Sequence, residues 1–200
     1  MSDFDPAFDR TMGHEIGPSN TRYSNDPSDF GGETFCGIAR NYHPRWPGWM
    51  IVDHEKSISA ALKEALSDRW SQLEPLVREF YFAEFWKKVG GSQVPNQSIA
   101  NELFDTAVNM HPHTAVEYLQ TALNALNRGD RARPLFDDLA MDGRIGPKTL
   151  AALQVALDAD GPDFLLLALN GQQCNHYVHR AVKVRSQRRF ARGWLKRVEL

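Results

Sequence analysis

Cysteine is scarce in this 200-residue chain. Only Cys36 and Cys174 are present, far apart and without Cys-x-x-Cys spacing, so neither a metal knuckle nor a disulfide scaffold is encoded. They read as buried free thiols or as one long-range bridge. Long apolar runs are missing as well. The longest, Phe164 to Leu169, falls far short of the roughly 20 residues that cross a bilayer. Strong net charge is absent: the formal value of −2 supplies no global field toward an anionic polymer. With no reading motif either, nucleic acid is not an expected partner. There is no Gly-x-Ser-x-Gly elbow of a serine hydrolase. The histidine pairs His111/His113 and His176/His179 have no third ligand beside them, so no metal and no cofactor is expected. The opening MSDFDPAF lacks a basic region followed by an apolar run. The expectation is a protein made in the cytoplasm without a Sec-type signal peptide.

What is present is ordinary globular material, with 42% hydrophobic and 24% charged residues. The length allows one large domain or two small ones. Apolar positions Phe4, Phe8 and Met12 recur every four residues and predict a first helix over 3–14, with Asp3 or Asp5 as cap and Pro6 in the first turn. Glu15 follows directly, where the helix can press it against apolar surface. Burial there disfavours the charged form. A polar loop rich in Pro, Ser, Asn and Gly then leads to a second acidic cluster, Asp26, Asp29 and Glu33, around Gly31 and Gly32. Two carboxylates in different environments, one kept protonated and one ionised, are what glycosidic bond cleavage requires. Tyr23 and the stretch from Glu33 to Ile38 predict a small hairpin, with Gly31-Gly32 at or near its bend. Asp26, ahead of a proline, reads as a turn residue.

Glu15-Ile16-Gly17, then Tyr23-Ser24-Asn25-Asp26 and Asp29-Phe30-Gly31-Gly32-Glu33-Thr34, then Gly37-Ile38, resemble the signature of glycoside hydrolase family 108. Its members are lysozyme-like N-acetylmuramidases found as phage endolysins and as muramidases serving secretion. Ile16 stands where the family pattern has glycine and Phe30 where it has proline; both departures leave the carboxylates in place. The resemblance implies a mainly α fold, lysozyme-like α+β with a small β-hairpin in the N-terminal lobe and a helical C-terminal half. It implies cleavage of the β-1,4 bond between N-acetylmuramic acid and N-acetylglucosamine, with Glu15 as general acid. By analogy Asp29 faces Glu15, with Thr34 beside it to hold water. Asp29 also reads as an Asx-turn residue bonding its own backbone. Tyr23 and Asn25 of the motif are carried as substrate contacts.

Trp46 and Trp49, in the proline-rich stretch 41–52, have two readings: sugar-stacking rings, joined by Tyr42, or packing of the lobe. Helices are expected over 57–69, with Ile58, Ala61, Leu62, Ala65 and Leu66 as its stripe, and from Pro75 to Val89. Gly90-Gly91-Ser92 with Pro95 reads as a linker. It divides a muramidase region at 1–92 from a helical region at 93–200. In the latter, Asp105 and Asn109 lie four apart on one face, where they brace helix packing.

Asp142-Gly143-Arg144-Ile145-Gly146-Pro147 is a turn feeding a helix that starts at Pro147. With Thr149 and Leu153 it resembles the signature of peptidoglycan-binding modules, which carries Asp142 and Gly146 as candidate wall contacts. The chain closes on a basic run from Arg180 to Arg197 without an acid. It reads as a solvated face with ion pairs, or as a surface for anionic wall polymer. The expected partner is the glycan strand of peptidoglycan, reached by a monomer through a holin, secretion machinery or lysis. The rival from another class is a wall-binding or secretion-accessory protein that keeps the fold without catalysis.

Overall fold

The computed structural model describes residues 1–16, 22–26, 30–128 and 133–198, the side chains of 14–16 excepted. The chain forms two compact units, Phe8–Glu84 and Met1–Ala7 with Phe85–Leu200. Among the described residues there are nine α-helices and one three-stranded antiparallel sheet. This is the mainly α, lysozyme-like arrangement expected.

The first unit contains α1 (Phe4–Ile16) from Phe8 onward, and there the helix buries Phe8, Thr11 and Met12. Burying an apolar side chain of this size contributes about 1.5–3 kcal/mol. Phe8 packs edge-on to Tyr81 at 5.8 Å, and the Arg78 guanidinium lies 4.3 Å from its ring while pairing with Asp9 and Glu74. Strands β1 (Tyr23–Ser24), β2 (Thr34–Phe35) and β3 (Ile38–Ala39) follow in a meander. Tyr23 faces Phe35, and Phe35 faces Ile38. Gly31-Gly32 lie in the β1–β2 connection, in the hairpin expected between Tyr23 and the stretch after Glu33, and a second, tight turn at Cys36-Gly37 joins β2 to β3. Cys36 and Gly37 both have positive φ, 47° and 78°, as a two-residue turn with the natural strand twist requires. Tyr81 holds this turn by donating to Cys36 O at 2.8 Å.

The helices that follow depart from the sequence pattern. α2 (Gly48–Ile58) begins inside the proline-rich stretch 41–52, for which no element was predicted, and the predicted 57–69 helix is broken at Ser59–Ala61 before α3 (Leu62–Asp68). Packing requires the glycine at 48: a Cβ there would lie 2.1 Å from the Trp46 ring. α4 (Trp70–Tyr81) carries Pro75 in its interior rather than at its start, and runs on as a π-helical turn over Phe82–Trp86.

In the second unit, Gly90 and Gly91 are buried in a short 3-10 turn. A Cβ on Gly91 would sit 2.3 Å from the Trp86 ring. α5 (Gln97–Asn109) is capped by Asn96, whose Oδ1 accepts from Ile99 N at 3.1 Å. α6 (Pro112–Leu126) is capped by His111. α7 (Pro147–Asp160) starts at its proline, α8 (Asp163–Lys183) spans 21 residues, and α9 (Ala191–Leu195) closes the chain after a 3-10 turn. Leu103, Phe104, Leu119, Leu123, Leu153 and Leu165 fill the core between them. Asp105 and Arg197 form a buried charged pair at 3.2 Å, with Gln173 and Asn109 donating to the other Asp105 oxygen at 3.1 and 3.2 Å.

Candidate active site

Glu15 occupies the last turn of α1. Its side chain lies outside the described residues, and so does all of Asp29. Thr34 opens β2, half-buried, and its hydroxyl donates to Gly32 O at 3.2 Å. That leaves the oxygen lone pairs of Thr34 as acceptors.

The chemistry most fully laid out here belongs to Glu33. It is 8% exposed, and three groups converge on its carboxylate. Tyr23 donates to Oε1 at 2.7 Å, Lys56 Nζ stands 2.9 Å from the same oxygen, and Arg40 Nε is 2.7 Å from Oε2. The Arg40 contact is an ion pair without hydrogen-bond alignment. Arg40 itself grips Asp53 with both terminal nitrogens, at 2.7 and 3.1 Å, and lies 4.3 Å from the Trp49 ring. Burial pushes the Glu33 carboxyl up. The hydrogen bonds from Lys56 and Tyr23 and the charge on Arg40 outweigh it and hold the group below its ordinary range. Glu33 is therefore a fixed anion joining the sheet to α2, not a proton donor. In the sequence it is one acid among three; its partners Arg40 and Lys56 lie too far along the chain to mark it.

Tyr23 is buried, with its hydroxyl committed to Glu33, and burial together with that bond raises its pKa. Asn25 and Asp26 are exposed. Trp46 and Trp49 are buried edge-to-face at 5.1 Å, with their indole nitrogens donating to Leu76 O and His43 O. Trp46 also stacks on Phe35 at 5.9 Å. Beside them a groove of about 440 Å³ is lined by Tyr42, His43, Trp46, Glu79, Phe80 and Glu84. Tyr42, 67% exposed, is its open aromatic ring.

In the helical unit the Asp142 motif is built around Gln120, which is fully enclosed. Gln120 Nε2 donates to Asp142 Oδ1 at 2.9 Å and to Arg144 O at 3.2 Å, while its Oε1 accepts from Gly143 N at 2.9 Å. The Gln120 bond and the Arg144 backbone N–H hold the Asp142 carboxyl below its usual range. Gly143 has φ of 62°, and a Cβ there would lie 2.6 Å from the His113 ring. Gly146 differs: its φ of −134° is open to any residue, and a Cβ on it meets nothing within 4 Å. Both Asp142 and Gly146 line a groove of about 680 Å³, with Asp137, Asp138, Arg144 and Lys148.

Both cysteines are free, and burial pushes the Cys36 thiol up to about 12. Among the described residues no group of three His, Cys, Asp or Glu side chains is placed to hold a metal ion. His111 instead caps α6, and His176 meets the Tyr118 hydroxyl at 3.3 Å.

Residues 8–110 match the family model described as glycosyl hydrolase 108, over more than half the chain. The chain belongs to the glycosyl hydrolase 108 family. Residues 114–199 match the model described as a predicted peptidoglycan domain. Among solved structures, the chain is similar to Brucella abortus SagA at 25% identity and a TM-score of 0.60, over 98% of this chain and 88% of that one. No curated protein matches it. Family membership and the second domain together support a peptidoglycan hydrolase of the lysozyme-like type, with peptidoglycan as the substrate.

Proposed function

We propose that this glycosyl hydrolase 108 member is an N-acetylmuramidase that hydrolyses the β-1,4 bond between N-acetylmuramic acid and N-acetylglucosamine. Glu15 protonates the leaving oxygen. Asp29, with or without Thr34, stabilises the oxocarbenium-like transition state or orients the water. The observation that carries this reading is the position of Glu15 in the last turn of α1, directly after the buried Phe8–Met12 face. The negative end of a helix dipole disfavours a carboxylate, which suits a group that must arrive protonated. Glu33, the alternative acid, is held ionised by Lys56, Tyr23 and Arg40. Thr34 has already spent its hydrogen on Gly32 O, so it meets water as an acceptor.

Residues 1–92 form the muramidase region and 93–200 the wall-binding region in this reading. Tyr23, Asn25, Trp46 and Trp49 shape the sugar site, Tyr23 and the tryptophans by packing from beneath. The groove at Asp142 and Gly146 takes wall material. A glycine that neither its backbone angle nor its neighbours require keeps that groove open. Among the described residues no helix is long and apolar enough to cross a membrane. The enzyme acts as a monomer in the periplasm, delivered by a holin, secretion machinery or lysis, and is bacteriolytic there in the manner of an endolysin.

The test is mass spectrometry of the soluble fragments released from purified sacculi. New reducing ends on N-acetylmuramic acid support the muramidase reading. New reducing ends on N-acetylglucosamine place the cut at the other glycosidic bond. Sedimentation with sacculi and no fragments favours the non-catalytic wall-binding alternative.

A further inference from the structure

A cavity of about 520 Å³ lies within the helical unit, between the end of α5, the start of α6, the last third of α8 and the closing turns of the chain. Ligand pockets commonly run from about 300 to 1,000 Å³. One wall is aromatic. Trp194 stacks on the buried Tyr177 ring at 5.7 Å and 26°, which fixes the indole plane, and Phe190 stands beside it at 6.1 Å. Phe190 is 46% exposed although it lines the cavity.

The other wall is polar and mostly uncharged. Gln187 Oε1 is buried with no hydrogen-bond partner, an acceptor that calls for a donor. His176 uses Nδ1 toward Tyr118, leaving Nε2 as its second polar atom. Burial and the nearby Arg180 lower its pKa, which favours the neutral imidazole. Arg180 supplies one exposed positive charge at the rim.

The geometry points to a second saccharide site here, distinct from the groove at Asp142, that binds an N-acetylated amino sugar of the glycan strand. The apolar C–H face of a pyranose covers the face of Trp194 turned away from Tyr177, with Phe190, which carries the Arg189 guanidinium 4.6 Å over its ring, at its edge. The amide N–H of the acetamido group satisfies Gln187 Oε1. The lactyl carboxylate of muramic acid meets Arg180. An acyl chain would leave Gln187 unpaired. The inference rests on peptidoglycan as the substrate of this chain.

The test uses the whole wild-type chain and the disaccharide N-acetylglucosaminyl-N-acetylmuramic acid, which lacks the bond a muramidase cuts. The chain has five tryptophans, and the indole N–H resonance of Trp194 is assigned by its absence in Trp194→Phe. Titration shifts that resonance to saturation. Phe190→Ala weakens binding at this reporter about tenfold. Arg180→Ala weakens it about fivefold for the disaccharide but not for di-N-acetylchitobiose, which has no carboxylate. A Trp194 resonance that stays still at disaccharide concentrations that move other indoles, or when nothing moves, overturns the site. Hydrolysis of sacculi measured on the same preparation separates the two readings. Cleavage with a silent Trp194 removes this site alone, and a responding Trp194 without cleavage removes the enzyme reading alone.

Discussion

Tyr23 donates its phenolic hydrogen to Glu33 Oε1 at 2.7 Å, tying β1 to the residue that precedes β2. Lys56 and Arg40 complete the cage around the same carboxylate, so the β-sheet and α2 share one buried anion. Because its folded-state pKa is depressed below 4.5, Glu33 contributes stability that is present above 4.5 and is lost as pH falls through the lower folded value. Glu33→Gln is expected to destabilise the protein by about 2 kcal/mol at pH 7. The gap to wild type should close as pH drops below 4.5. Thermal melts of both proteins from pH 7 to pH 3 check this, and a gap that is constant with pH contradicts it.

Gly37 and Tyr81 are coupled through space. A Cβ on Gly37 would sit 2.5 Å from the Tyr81 hydroxyl, at a φ of 78°. Gly37→Ala should cost about 2 kcal/mol or more, and Tyr81→Phe about 1 kcal/mol through the lost bond to Cys36 O. The double variant should be less destabilised than the sum, because removing the hydroxyl removes the obstruction. Strict additivity in denaturant melts would show that the clash is relieved elsewhere.

Arg197 reaches Asp105 at 3.2 Å with both side chains buried, anchoring the end of the chain in the α5–α8 core. Arg197→Ala leaves Asp105 without its cation, and a buried ion left alone costs about 3–5 kcal/mol. Replacement of the exposed Arg192 by Ala should change stability by less than about 0.5 kcal/mol. Equal effects of the two substitutions in urea melts would contradict the assignment.

The two glycines of the Asp142 motif should part company. Gly143→Ala meets the His113 ring at 2.6 Å in a left-handed conformation and should unfold the turn. Gly146→Ala meets nothing, so its stability should fall by no more than about 1 kcal/mol, through helix capping alone. Its binding to sacculi should nevertheless weaken if the groove is a wall contact. Co-sedimentation at wild-type strength would remove Gly146 from the wall site.

Elements with regular spacing were legible in the residues. The four-residue rhythm of Phe4, Phe8 and Met12 marks α1, Pro147 marks the start of α7, and the Asp105/Asn109 pair does brace α5. What local pattern could not show depends on distant partners. α2 begins at Gly48 in a Pro- and Trp-rich stretch for which no element was predicted, and the Trp46 ring that requires the glycine there is brought up by the fold. The hairpin between Tyr23 and the stretch after Glu33, with Gly31-Gly32 in its connection, was legible, whereas the second turn at Cys36-Gly37, held by Tyr81 from far along the chain, was not. Glu33 looked like one more loop acid, and only the arrival of Lys56 and Arg40 makes it a buried anion. Of the candidate catalytic set, Thr34 is described in full, Glu15 by its backbone alone, and Asp29 lies outside the described residues.

The central claim is that Glu15 delivers the proton. The direct measurement is the rate of reducing-end release from purified sacculi by wild type and by Glu15→Gln, with circular dichroism to show that both are folded. A general acid contributes about 10²–10⁴-fold, so the variant should lose at least two orders of magnitude in rate while still sedimenting with sacculi. A folded Glu15→Gln protein that releases reducing ends at the wild-type rate would contradict the account.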